Sequence, residues 1–285
     1  MLRITLENAR KQQILITNEV KFTLNKVTGL NPPTASIYTT ENIGDGNQFQ
    51  HQRTGERNVV INMYINGDVE KNRLELYNYV QTGQYIKIYI DTDSRNVWIE
   101  GYVETCEIDQ FQRNTTCQIS IVCPEPYWKD LTESINTINS TQSTFYFPYF
   151  TVAPKPVSTY EQIQILNLIN QGNAASGMTI ELTARGTVIN PIIYNRETRE
   201  YIGLGNEEKP YTMQSGDRVV ITTHTNNKKV VLIRDAVETN IFNALIPGSS
   251  FLQVDVGENI FTFATSSGSE YLDIVFKHYS LYKGI

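Results

Sequence analysis

Three histidines, three cysteines and a run of carboxylates are the side chains here that could do chemistry, and their spacing argues against it. His51, His224 and His278 lie far apart, none beside a nucleophile motif, and HExxH, GxSxG and P-loop patterns are absent. Asp91, Asp93, Glu104, Glu107 and Asp109 are close enough in sequence to offer a carboxylate pair for glycoside hydrolysis, but the solvated faces of edge strands carry such charges routinely. Gly203-Leu204-Gly205 copies the start of a dinucleotide fingerprint without its third glycine or following helix, and reads as a turn. Cys106, Cys117 and Cys123 are too few for a disulfide framework or a four-ligand zinc site. Cys117, Ile119, Ile121 and Cys123 share one face of a period-two strand, so two of the thiols read as buried apolar side chains. Asn114-Thr115-Thr116 and Asn139-Ser140-Thr141 fit the glycosylation acceptor pattern but carry no weight in a chain without an export signal. No catalytic, cofactor-binding or metal-binding set is expected.

The elements that would position such groups are mostly strands. Val59, Ile61, Met63 and Ile65 alternate with polar neighbours, and Asn66-Gly67-Asp68 breaks the run. Asp68 is placed to cap a helix whose apolar stripe is Val69, Leu76, Tyr77 and Val80 and which Gly83 ends. Ile86, Ile88 and Ile90, then Val97, Ile99 and Val103, predict two more strands joined through Asp91-Thr92-Asp93-Ser94. The second half shows no helical pattern. Its short apolar runs include Met178 to Leu182, Val219 to Ile221, Leu252 to Val256 and Leu272 to Phe276, separated by turn residues, which predicts an antiparallel sandwich.

At 285 residues two domains are expected. Five of the ten prolines fall between Pro124 and Pro156 beside the polar stretch from Asn136 to Thr144, which places the boundary there, with domains at 1–130 and 131–285. Phe145-Tyr146-Phe147-Pro148-Tyr149-Phe150 carries too much aromatic surface to leave in water and should dock on a domain or a neighbouring subunit. The formal charge of −6 argues against affinity built on phosphate neutralisation, so specific nucleic-acid binding is not expected. No apolar run approaches the roughly 20 residues of a membrane span, and the first residues lack the pattern of a signal peptide, so a soluble chain without membrane insertion is expected.

One ordered set of segments resembles a known family. Gly29-Leu30-Asn31-Pro32-Pro33, Asp45-Gly46, Arg53, Arg57-Asn58-Val59-Val60-Ile61, the helix from Asp68, and Ile119 through Trp128 look like the amino-terminal half of the siphophage distal tail proteins. Ile169 to Asn173, Asn190-Pro191-Ile192-Ile193, Gly216-Asp217, Lys228-Lys229-Val230, Gly248 to Phe251, Gly257-Glu258-Asn259 and Tyr282-Lys283-Gly284-Ile285 look like its carboxy-terminal half. The resemblance implies a mainly β chain. Its amino-terminal β-sandwich or barrel-like domain would hold one helix, followed by a galectin-like antiparallel β-sandwich. It implies a structural virion component at the distal end of the tail, made in the host cytoplasm. That component would be a ring-shaped hub, usually hexameric, joining the tail tube protein to the tail tip, a tail-associated lysin or a receptor-binding protein. No reaction or cofactor is implied.

Tyr64, Tyr85, Tyr89 and Tyr102 alternate with the expected core positions and are the candidate ring interface. Glu41 and Asp45, in the loop from Glu41 to Gln50, are candidates for a neutral to acidic lumen that would not hold passing DNA. A carbohydrate-binding adhesin is the alternative, with Trp98 and Trp128 as the best stacking residues, and a glycan-active enzyme is a more distant one.

Overall fold

A computed structural model describes residues 2–17, 21–109, 114–138, 140–143, 158–161 and 165–285. The aromatic stretch 145–150, with its expected docking, lies outside the described residues. The chain divides into two compact units, Met1–Leu131 with Leu281–Ile285, and Thr132–Ser280. A second domain running unbroken over 131–285 is therefore corrected at its end: its last five residues belong to the first unit.

The first unit comprises β1 (Arg3–Asn8), β2 (Gln13–Ile16), β3 (Phe22–Thr28), β4 (Ala35–Glu41), β5 (Asn47–Thr54), β6 (Arg57–Ile65), α1 (Val69–Tyr79), β7 (Tyr85–Asp91), β8 (Asn96–Ile108), β9 (Thr116–Cys123) and β10 (Trp128–Asp130). Seven strands form one antiparallel sheet in the order β2-β1-β7-β8-β9-β6-β3, and β10 branches from β8 to pair with the strand Leu281–Tyr282. Alternation decides which face is buried. Val59, Ile61, Met63 and Ile65 of β6 point inward with Ile86, Ile88 and Ile90 of β7, Val97, Ile99 and Val103 of β8, and Cys117, Ile119, Ile121 and Cys123 of β9. Burial pushes the Cys123 thiol up to about 12, which keeps it protonated and inert.

Asp68 caps α1 by accepting a hydrogen bond from the Lys71 amide at 3.2 Å. The stripe facing the core is Asn72, Leu76 and Val80, spaced by four, while Tyr77 is only half-buried. Asn72 tolerates burial because its amide donates to the Asn66 carbonyl at 2.6 Å, tying the helix to the turn before it. The helix ends at Val80 in extended backbone, so Gly83, at positive φ, shapes the following turn and does not stop the helix.

The second unit is a two-sheet sandwich. Its six-stranded sheet runs in the order Ser134–Ile138, Leu272–His278, Met178–Ala184, Arg218–His224, Asn227–Arg234, Val237–Asn240. The four-stranded sheet runs Ile165–Asn170, Gly257–Ala264, Ile192–Asn195, Tyr201–Gly203. Ile180, Leu182, Ile221, Ile274 and Phe276 of the first meet Leu168, Ile193, Ile202 and Phe261 of the second in one core, with the Phe261 and Phe276 rings 5.4 Å apart. Leu252 to Val256 does not form the expected strand: Leu252 and Val254 are buried, but the backbone pairing is one isolated bridge from Val254 to Ser176 rather than a ladder, and Val256 is exposed.

Asn190-Pro191 and Gly203-Leu204-Gly205 meet at one buried knot; the latter is not the expected turn, since Gly203 ends the strand Tyr201–Gly203 and Leu204 bridges Leu245. Asn190, itself at positive φ, accepts from the Tyr211 amide at 2.8 Å and donates to the Ser266 hydroxyl at 3.1 Å. A Cβ on Gly205 would lie 2.5 Å from the Asn190 side-chain oxygen, so only glycine fits there. Asp217, after Gly216, receives both a forked pair of bonds from Arg234, at 2.7 and 2.5 Å, and the Gln214 amide. These bonds, that from Arg234 foremost, hold its carboxyl below the usual range.

His278 sits fully buried at the end of its strand, opposite Ser134 and Met178. Burial lowers its pKa from the ordinary 6.5, an effect the Ile169 backbone only partly offsets. With the folded pKa depressed, folded and unfolded chains are both neutral at His278 above pH 6.5, and the group makes no contribution there. As pH falls through that value the unfolded chain takes up the proton first, and stability is lost. We expect the thermal midpoint of the second unit to fall between pH 7.5 and pH 5, with a smaller fall in His278→Leu; equal falls in the two proteins would show that His278 does not carry the effect.

Candidate functional site

Several of the carboxylates considered for chemistry are engaged in structure. Glu104 accepts from Ser120 at 2.8 Å, Asp109 from the Thr116 hydroxyl at 2.7 Å, and Asp91 lies 3.8 Å from Arg3. The His51 ring stacks on Tyr38 at 4.4 Å. Among the described residues no group of three or more His, Cys, Asp or Glu is placed to hold a metal ion.

Surfaces, rather than a cleft, are what the first unit offers. The outward face of β2-β1-β7-β8 is built in register rows: Leu15, Thr5, Tyr89, Trp98 and Lys129 in one, Gln13, Glu7, Lys87 and Glu100 in the next, Tyr85, Tyr102 and Val122 in the third. Tyr85 and Tyr102 are directly paired with rings 6.0 Å apart, and Tyr89 lies two rows away, about 13 Å along β7. Tyr64 is not with them. The strand partner of Val122 on β6 is Asn58, six residues from Tyr64, or about 20 Å along the strand. Tyr64 instead lines a separate hollow with Asn66, Val69 and Thr115.

The aromatic face is pinned by charge. Lys129 bridges Glu100 at 3.0 Å and Glu125 at 2.9 Å, and the Tyr85 hydroxyl donates to Glu100 at 2.6 Å. Burial alone would raise the Glu100 carboxyl, but the Tyr85 hydrogen bond and the Lys129 charge overcome it and hold it below its ordinary value. Burial, followed by that same bond, pushes the Tyr85 phenol well up. The Lys87 and Lys129 ammonium groups lie 4.5 and 4.9 Å from the centre of the Trp98 ring. Trp128 is wholly buried with the Arg57 guanidinium 5.4 Å from its ring. The two tryptophans weighed as sugar platforms are thus one stacked on by lysines and one in the core.

A second surface had no counterpart in the apolar periodicity. β4 and β5 pair only with each other, from Ala35↔Thr54 to Glu41↔Asn47, and nearly all of their residues are exposed on both faces. Ile37, 66% exposed, and Phe49, 58% exposed, share one face; the Tyr38–His51 stack is on the other. Ile43 stands bare at the tip. Glu41, the last residue of β4, and Asp45, in the connecting turn, the two lumen candidates, are both at this exposed tip.

Arg57, the first residue of β6, is 3% exposed and is the polar centre of the unit. Its Nε donates to Pro126 O at 2.6 Å, Nη1 to Gly29 O and to Asn31 O at 2.7 Å, and Nη2 to Lys283 O at 2.6 Å. Burial lowers the guanidinium pKa, though an arginine keeps its charge under such a shift. Four of the segments that carried the family resemblance, Gly29–Pro33, Arg57–Ile61, Pro124–Trp128 and Tyr282–Ile285, are joined by this one side chain.

The comparisons agree with this geometry. Residues 171–279 match the family described as "Siphovirus-type tail component, C-terminal domain". No curated protein matches the chain in sequence. Among solved structures the chain resembles the SPP1 Dit protein, described as a paradigm of the hub adsorption apparatus in phages infecting Gram-positive bacteria, with a TM-score of 0.64 at 13% identity over 96% of this chain and 98% of that one. It also resembles a chain of the phage P2 baseplate in its activated conformation with calcium, with a TM-score of 0.54 at 11% identity over 98% of both chains. At that identity the structures establish the fold, and the family match covers 171–279 within the second unit. The chain thus carries a siphovirus-type tail-component domain over residues 171–279 and shares the fold of the SPP1 Dit protein along its length.

Proposed function

We propose that this protein is a structural hub of a phage tail and that copies of it close head to tail into a ring, six by the resemblance, between the tail tube and the tip proteins. The observation that carries this reading is the hairpin β4–β5. A two-stranded ribbon in water is marginally stable by itself, and this one leaves Ile37, Ile43 and Phe49 uncovered. Its 20 residues, 35–54, are about the number one partner supplies to a standard protein interface. The Tyr85, Tyr89 and Tyr102 face is a different surface on the same unit, so a hairpin of one copy seated on a neighbour makes a heterologous contact, the kind that closes into rings. Glu41 and Asp45 at the hairpin tip then place acidic groups wherever the tips converge. The partners are a tail tube protein on one side and tip proteins on the other. No step of this reading calls for catalysis.

Native mass spectrometry of the full chain tests the reading. The expected result is a closed oligomer that becomes a folded monomer in the double variant Ile37→Asp with Phe49→Asp, since neither side chain is in a core. A double variant that still forms the ring would remove the hairpin from the interface.

A further inference from the structure

The short strand β10 has two edges. One pairs with β8, through Lys129↔Trp98 and Asp130↔Val97, and the other receives Leu281–Tyr282, through Trp128↔Tyr282 and Lys129↔Leu281. The arriving segment is gripped along its length. The Tyr282 side chain is 7% exposed, its ring lies 4.0 Å from the Arg95 guanidinium carbon, and its hydroxyl donates to Asp130 at 3.2 Å. Arg57 binds the Lys283 carbonyl, Arg95 donates to the Gly284 carbonyl at 3.0 Å, and the Ile285 amide donates to the Leu30 carbonyl at 3.1 Å. A Cβ on residue 284 would fall 2.9 Å from the Pro32 ring and 3.1 Å from the Leu30 carbonyl, so the slot accepts glycine there and resists anything larger.

We propose that the first unit contains a strand-acceptor slot, formed by the free edge of β10, Arg57, Arg95 and the Leu30–Pro32 turn, whose occupant is residues 281–285 of the same chain. The slot recognises backbone at four successive positions, an aromatic ring at the second residue of the occupant and the absence of a side chain at the fourth. Because Arg57 and Lys283 are 226 residues apart, the unit that bears the hairpin and the tyrosine face is completed only after all of residues 132–280 have been synthesised. The slot thus acts as a completion switch: a partial chain presents an unfinished first unit and does not enter a ring. The consequence for assembly rests on the ring reading above; the slot itself does not.

The test compares the full chain with a chain ending at residue 280 and with the full-length variant Gly284→Val. Amide exchange is followed on dilute monomer, and oligomer state is followed separately by native mass. The expected result is that exchange in β6, β8 and β10 quickens at least tenfold in both altered proteins, while the strand Met178–Ala184 exchanges as before. A synthetic peptide of sequence Ser-Leu-Tyr-Lys-Gly-Ile should restore protection to the shortened chain, and the same peptide with valine in place of glycine should not. Unchanged exchange in the shortened chain, or loss that the peptide fails to reverse, would overturn the slot. A wild-type chain that stays monomeric would instead count against the ring and leave the exchange result standing.

Discussion

Arg57→Ala is expected to unfold the first unit at room temperature while leaving the second folded. Its guanidinium satisfies four carbonyls drawn from three separate segments, Gly29–Asn31, Pro126 and Lys283. A buried acceptor left without a partner costs about 1 to 3 kcal/mol. Contributions at one hub do not add simply, but a loss above about 4 kcal/mol is expected, a large share of the 5 to 15 kcal/mol that a domain typically has. Arg57→Lys keeps the charge but offers one compact donor group in place of a planar fork, so it should fall between wild type and alanine. Scanning calorimetry reads this directly: the transition of the first unit should vanish in Arg57→Ala and move down in Arg57→Lys. An alanine protein with both transitions intact would show that the carbonyls find other partners.

The second large effect is expected at Leu76. It is fully buried where α1 meets the core of the first unit, next to Val80 one turn on. Leu76→Ala should cost about 2 to 5 kcal/mol through lost transfer energy and the cavity left behind. Alanine is the best helix former, so helix propensity cannot account for such a loss. Leu74, two residues earlier on the same helix and 52% exposed, supplies the comparison: Leu74→Ala should change stability by no more than about 0.5 kcal/mol. Equal effects at the two positions in urea unfolding would mean that the helix presents a different face.

What could be read from residues alone follows from where the signal is local. The alternation at Val59–Ile65 and Ile86–Ile90, and the cap at Asp68, are written within a few neighbours, and the structure places them as read. The stripe of α1 was read with Tyr77 in it because hydropathy hides a buried Asn72 whose amide is satisfied by a backbone carbonyl. The hairpin β4–β5 left no trace in the pattern because neither of its faces is buried, and a strand without an inside has no apolar period. Tyr64 was grouped with Tyr85, Tyr89 and Tyr102 by parity, which reports the face of a sheet but not the distance along it. The return of Leu281–Ile285 to the first unit and the role of Arg57 depend on contacts between residues up to 226 apart, and only family resemblance marked those segments. One signal was present: an arginine at the start of a strand whose next residues alternate is an unusual charge to place against a core.

The pairing of Lys129 with Leu281 also says how this protein can change over time. The chain leaves the first unit and comes back to it at two adjacent strands, with the paired backbones about 5 Å apart. For the first unit, everything between is a single excursion whose two feet stand side by side, and the cost of closing such an excursion grows only slowly with its length. Any compact module whose own ends lie together can be set on those feet without disturbing β10, Arg57 or the hairpin. The second unit can therefore diverge, lengthen or be replaced while β10, Arg57 and the sheet of the first unit stay as they are.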